Sequence, residues 1–151
     1  LKDGGAVELQ GKSGKSLTRY FPEAVQAIAA INLNRAILDG ELRIVNNGKA
    51  DFDALQMRLH PASSRITKLS KETPAELVVF DTLMDASGEP IYDEPLADRR
   101  LVLEKLSTSF AAGMLVGDST RDVSVARRWL ETGYAGTDGV MAKRLDLAYR
   151  F

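Results

Sequence analysis

The chain has 151 residues, 44% of them hydrophobic, with 20 lysines and arginines set against 21 aspartates and glutamates. That length supports one sizeable core, and the balanced charge excludes both a disordered charged tail and a module that wraps phosphate backbone unaided. Cysteine is absent and His60 is the single histidine, which excludes disulfide frameworks and cysteine-ligated zinc and leaves one ring for any histidine-based triad.

Ala6 to Gln10 alternates apolar and polar side chains, as a half-buried strand does, and Lys12-Ser13-Gly14-Lys15 supplies turn chemistry, so a β-hairpin is expected to open the chain. Pro22 suits a first helical turn, and Ala24, Val25, Ile28, Ala29 and Ile31 carry a helix with one apolar face to about Asn32. From Ala36 to Val45 the pattern predicts a strand interrupted by a polar turn at Asp39-Gly40-Glu41 and ended by Asn46-Asn47-Gly48. Asp51 caps a helix running through Phe52, Leu55, Met57 and Leu59 that stops before Pro61, and 62–73 reads as a polar, basic, mobile connection.

Leu77-Val78-Val79-Phe80 is a continuous apolar run, the signature of a strand buried on both faces and central to a sheet. A helix over Leu96 to Leu106 with two arginines and a short strand at Met114-Leu115-Val116 follow. Ser119 or Thr120 starts a last helix with Val123, Ala126, Trp129 and Leu130 on one side and Gly133 beyond its end. Gly139 to Ala142 reads as a short strand between Asp138 and Lys143. Strands and helices mix without regular βαβ alternation, so the fold class is α+β with a largely antiparallel sheet.

Several residues invite chemistry. Gly-Lys-Ser occurs twice in Gly11 to Ser16, but the glycine a P-loop needs five positions earlier is replaced by Ala6 and Leu9, so a surface turn is expected. Asp39 and Glu41 bracket Gly40 in an apolar strand that normally rejects all three. Two readings stand: carboxylates that take a sugar hydroxyl or Mg²⁺ beside a backbone a ligand can approach, or an ordinary β-bulge with exposed acids. Phe80 is either plain core or a flat face for a base, and Asp81 is placed to orient a neighbour. Asp138 and Lys143 are either a metal-binding carboxylate and a phosphate-binding ammonium or a solvated ion pair. His60 before Pro61, the acids Asp51 and Asp53, and the arginines Arg121, Arg127 and Arg128 read as helix-end, capping and solvated groups.

Taken in order, Leu38-Asp39-Gly40-Glu41, Phe80-Asp81 and Asp138-Gly139-Val140-Met141-Ala142-Lys143 resemble three ordered motifs of the nucleotidyltransferase (adenylation) domain of ATP-dependent DNA ligases. Ser16 to Glu23, Asp51 to Gln56 and Arg58-Leu59 resemble the bacterial members, including those tied to double-strand-break repair, and the likeness spans essentially the whole chain. It implies an ATP-grasp-like architecture, with residues 1–151 as a partial adenylation domain. ATP and Mg²⁺ (or Mn²⁺) are the implied cofactors, and nicked duplex DNA the implied substrate. Such enzymes form lysyl-AMP, pass AMP to the 5′-phosphate at a nick and seal it with the 3′-hydroxyl. By the resemblance Glu41 contacts the ribose and a metal, Phe80 stacks on adenine, and Asp138 stands where the family has a metal-associated glutamate. Lys143 binds nucleotide, and Lys12 stands where an arginine usually contacts phosphate, without that residue's bidentate fork.

The family's nucleophile lies in Lys-x-Asp-Gly, and Lys2-Asp3-Gly4-Gly5 does not fit because no residue separates Lys2 from Asp3. The missing lysine is expected roughly ten residues before Leu1, judged from the length of a strand and turn. The later lysine-rich strand and the OB-fold domain are expected beyond Phe151. The resemblance therefore implies an excised piece that does not itself seal DNA, with unpaired sheet edges that favour self-association. An RNA ligase or capping-type relative, and a non-catalytic interaction domain on the same scaffold, are the alternatives. No apolar run is long enough to span a bilayer and no signal peptide opens the sequence, so a cytoplasmic location without a membrane partner is expected.

Overall fold

The computed structural model describes residues 1–134 and 139–151. Strands β1 (Lys2–Asp3) and β2 (Ala6–Val7) form a hairpin, with Gly4 at a φ of 56° in its turn. The turn falls at Gly4-Gly5, where a positive φ is cheap for glycine, so β2 is shorter than the alternation from Ala6 to Gln10 predicts. Gly11 to Lys15 forms a separate turn, closed by a bridge from Gln10 to Ser16. Helix α1 (Pro22–Ala29) has the proline in its first turn, and Ala24, Ala27 and Ile28 face the core. The buried Lys2 ammonium donates to the carbonyls of Ala29 (2.7 Å) and Ile31 (2.5 Å) and so closes the end of that helix.

After β3 (Arg35–Ala36), which pairs with β1, the chain enters β4 (Leu38–Arg43). Asp39-Gly40-Glu41 is thus no turn; it stays within one strand, and the bulge lies in the strand it pairs with. A hairpin of β5 (Val45–Asn46) and β6 (Lys49–Ala50) turns on Asn47 and Gly48, both at positive φ, and α2 (Phe52–Met57) follows, with the Asp51 carboxylate accepting from the Ala54 amide at 2.9 Å.

The polar 62–73 stretch is not a mobile connection. It is helix α3 (Ser63–Glu72), which lies against α1 and buries Ile66. Its apolar stripe is only Ile66 and Leu69, one turn apart, too narrow to stand out by periodicity among serines and lysines.

Strand β7 (Glu76–Thr82) lies between β4, antiparallel, and β8 (Met114–Val116), parallel. The parallel pair requires a crossover, and α4 (Leu96–Leu106) supplies it and packs on β7. The central place of Leu77 to Phe80 is as expected, and so is the largely antiparallel pairing: among the described strand pairs only β7 with β8 is parallel. Last comes α5 (Val123–Thr132), capped by Asp122 rather than Ser119 or Thr120 because the carboxylate accepts from the Ser124 amide at 2.7 Å, and ended by Gly133 at a φ of 61°. The expected strand at Gly139 to Ala142 is not formed: it has no strand partner among the described residues, and Met141 is exposed. The core joins Phe21, Ile28 and Ile31 to Ile44, Leu77, Val79, Leu103 and Met114. No helix among the described residues is long and apolar enough to cross a membrane.

A buried ion pair ties the first half together. The fully buried Arg58 grips the Glu23 carboxylate with both terminal nitrogens (2.6 and 2.9 Å), donates to the carbonyls of Tyr20 and Thr73, and lies 5.0 Å from the centre of the Phe21 ring. Glu23 also accepts from the Ala75 amide at 2.9 Å, so one carboxylate links α1 to the start of β7. Arg58→Met is expected to cost about 3 kcal/mol, because it strands the Glu23 charge, read as a lowered urea midpoint. Gly40 is needed for packing, since a Cβ there would lie 2.5 Å from the Val78 carbonyl oxygen. Gly40→Ala is expected to destabilise by about 1–3 kcal/mol in the same assay, and an unchanged midpoint would contradict this account of the bulge.

Candidate functional site

The site is built on the polar end of β7. Leu77 and Val79 are core residues, but the strand continues into Asp81 and Thr82, which are 2% and 0% exposed. An acid that deeply buried needs a partner. Arg99 of α4, itself 3% exposed, meets it with a two-point grip of 2.9 Å from Nε and 2.8 Å from Nη2. The remaining nitrogen of Arg99 donates to the carbonyls of Glu94 and Leu147, so every nitrogen of the guanidinium is used.

Leu147 belongs to the terminal segment, which lies as a strap across the start of α4. The amides of Leu96 and Ala97, free donors at a helix N-terminus, give hydrogen bonds of 2.9 Å to the carbonyls of Leu147 and Leu145, and the Tyr149 amide donates to Tyr92 at 2.8 Å. The Tyr149 ring lies 5.7 Å from the Arg99 guanidinium, and its hydroxyl donates to Asp39 at 2.8 Å. Asp39, Tyr149, Arg99 and Asp81 thus form one network through β4, the strap, α4 and β7.

Pairing between β4 and β7 steps from Asp39–Asp81 to Gly40–Val79. One residue of β7 has no opposite number there, and it is Phe80. A bulge is observed, as the second reading has it, but its extra residue is Phe80 of β7, and of the two acids only Glu41 is exposed, Asp39 being half-buried and bonded to Tyr149; the need for glycine comes from the neighbouring strand's backbone.

Phe80 is half-buried, and the Lys143 ammonium sits 4.7 Å from the centre of its ring. Glu41 is exposed, opposite Val78, and makes no hydrogen bond or ion pair among the described residues. Phe80, Lys143 and Glu41 thus come from two adjacent strands and the strap. Lys12 is exposed on the Gly11 to Lys15 turn, and no hydrogen bond or ion pair links it to the other three. Asp138, the expected metal ligand, lies outside the described residues. Among those described, no group of three or more acidic or histidine side chains gathers where a metal ion could sit. Two surface concavities, one around Asn46 to Asp53 and one beside Glu23, Ile44 and Ala75, include none of these residues.

Reading the sequence locally passes over Arg99 and Tyr149. For Arg99 a signal exists: Leu96, Arg99, Leu103 and Leu106 occupy one helical face, so an arginine stands at a core position of the repeat and pairs logically with the acid closing the buried strand. For Tyr149 there is no local signal, because its partner is 110 positions away.

The family model for the ATP dependent DNA ligase domain matches residues 1–151. The chain belongs to this family. DNA ligase C2 of Mycolicibacterium smegmatis is 40% identical over 152 residues, covering 99% of this chain and 42% of the relative. DNA ligase C of Mycobacterium tuberculosis is 40% identical over 156 residues, covering 99% and 43%. The chain therefore spans less than half the length of these curated relatives. The solved ligase domain of M. tuberculosis LigD superposes with a TM-score of 0.69 at 25% identity, covering 99% of this chain and 48% of that one, and mycobacterial DNA ligase D complexed with ATP and MES gives 0.68 at the same identity, covering 99% and 45%. The α+β architecture expected from the ligase resemblance is the observed one.

Within this ligase domain the Tyr149 hydroxyl is held protonated. Burial first, then the hydrogen bond to Asp39 and the charges of Asp39 and Asp81, with Arg99 opposing, push it from 10.0 up to about 12. The folded state binds this proton more tightly than the unfolded state, so the contribution is whole below pH 10.0 and is lost as pH rises to about 12. Stability measured across that window is expected to fall more steeply in the native chain than in Tyr149→Phe. Parallel curves would contradict it.

Proposed function

We propose that this chain is the nucleotide-binding part of an enzyme that seals nicks in duplex DNA through enzyme-AMP and DNA-adenylate intermediates. The observation that carries this reading is the Lys143 ammonium over the Phe80 ring at the bulge of the central strand, with Glu41 exposed on the strand paired to it, in a chain matched from end to end by the family. Phe80 offers a face for adenine, Glu41 an unpaired carboxylate for the ribose hydroxyls, and Lys143 a cation for phosphate. Lys12 lends a second cation from its turn. One of the structural relatives is described as complexed with ATP, which supports the same ligand here.

In the proposed reaction a lysine amine attacks the α-phosphorus of ATP, a phosphoramidate bond forms and pyrophosphate leaves. AMP then passes to the 5′-phosphate of the nick, and the 3′-hydroxyl displaces it. Lys-x-Asp-Gly does not occur within the 151 residues, and Lys2 is committed to the end of α1, so the chain's own residues bind and orient while the nucleophile is supplied from sequence outside them. A divalent metal, when bound, would supply charge neutralisation at the triphosphate. Glu41 and Asp138 are its proposed protein carboxylates, and the described residues alone do not complete a site for it. The work is placed in the cytoplasm, on DNA of the nucleoid.

Titration with ATP and Mg²⁺, followed by amide chemical shifts, tests the reading. Shifts are expected to cluster at Glu41, Phe80 and Lys143, and Phe80→Ala is expected to weaken binding about tenfold, near the lower end of what one base–aromatic stack contributes. A folded sample whose shifts do not move, or move elsewhere, would refute the assignment.

A further inference from the structure

Two segments far apart in the chain must hold their spacing if Phe80 and Lys143 are to act on one ligand. Phe80 is the extra residue of the bulge, where backbone pairing is interrupted and the ladder does not itself fix the ring. Lys143 lies on an irregular segment with no strand pairing among the described residues. Six residues on, the Tyr149 hydroxyl donates at 2.8 Å to Asp39, the residue opposite Asp81 at the bulge. This is the one side-chain hydrogen bond, among the described residues, between strap and β4. On its other sides Tyr149 is fixed by the hydrogen bond its amide donates to the Tyr92 carbonyl, by Arg99 near its ring and by Phe151 edge-on at 5.2 Å. A phenol suits this position because burial and the bond to Asp39 hold its hydroxyl in the protonated, donating form.

We propose that Tyr149 is a positioning residue of the nucleotide pocket: through its bond to Asp39 it sets the strap that carries Lys143 against the bulge that carries Phe80. Its effect on ATP rests on the nucleotide reading above; its effect on geometry does not.

The test starts without ligand. In the native chain the Lys143 side-chain methylenes near the ammonium lie by the face of Phe80, so their proton resonances are shifted upfield, and Phe80→Ala identifies the shift. Tyr149→Phe keeps the ring beside Arg99 and removes only the donor. The upfield shift is expected to be lost in Tyr149→Phe and retained in Asp39→Asn, whose amide oxygen still accepts. ATP binding is expected to weaken about tenfold in the first variant and to stay near native in the second. Should Tyr149→Phe not give a folded spectrum, Asp39→Ala, which removes the acceptor instead, reads the same loss. Retention of the upfield shift in a variant lacking the bond would overturn the proposal. Loss of the shift in a chain that binds no ATP even in native form would uphold the geometric role and refute the nucleotide reading, which keeps the two failures apart.

Discussion

The pair between Asp81 and Arg99 is the contact on which the functional half of the structure rests. Both side chains are almost wholly withdrawn from water, and either charge left alone there would be strongly unfavourable. Two-point geometry and further carbonyl partners for the guanidinium make the burial tolerable. The pair gains its position from β7, whose apolar run takes it to the middle of the sheet, and from the helical repeat of α4, which turns Arg99 inward with Leu96 and Leu103. Because Arg99 also holds the Leu147 carbonyl, the same cation anchors the strap.

The Glu23 and Arg58 pair does equivalent work on the other side. It gathers the start of α1, the end of α2, the end of α3 and the approach to β7 around one guanidinium. Each pair joins a carboxylate to an arginine tens of positions away or nearly so, and neither is a surface bridge of the kind that contributes little. Together they fix the two ends of β7, and the bulge that displaces Phe80 lies between those fixed ends.

At the bulge the chain places opposite kinds of surface side by side: a half-buried aromatic ring, an ammonium over its face and an unpaired carboxylate on the next strand. The strap that carries the ammonium is held by the backbone bonds at Leu145, Leu147 and Tyr149, while Lys143 itself is exposed.

Much of this was legible in the residues alone, wherever the determining interaction is local. Pro22, Asp51 and Gly133 mark helix ends because a capping group acts within a turn of its own position, and the unbroken run Leu77 to Phe80 marks a central strand, although Leu77 and Val79 are buried while Val78 and Phe80 on the other face are half-buried rather than covered as expected. The ordered motifs around Glu41 and Phe80 likewise identified the ligase family. Helix α3 was hidden because its two apolar residues matter only against α1, and the strand expected at Gly139 to Ala142 pairs with no other strand among the described residues. What only the tertiary structure decided is which distant polar groups meet: Asp81 with Arg99, Glu23 with Arg58, Asp39 with Tyr149. Sequence spacing carries no record of such pairs, since they exist only once the hydrophobic core has brought their backbones together and removed the water that would otherwise solvate them.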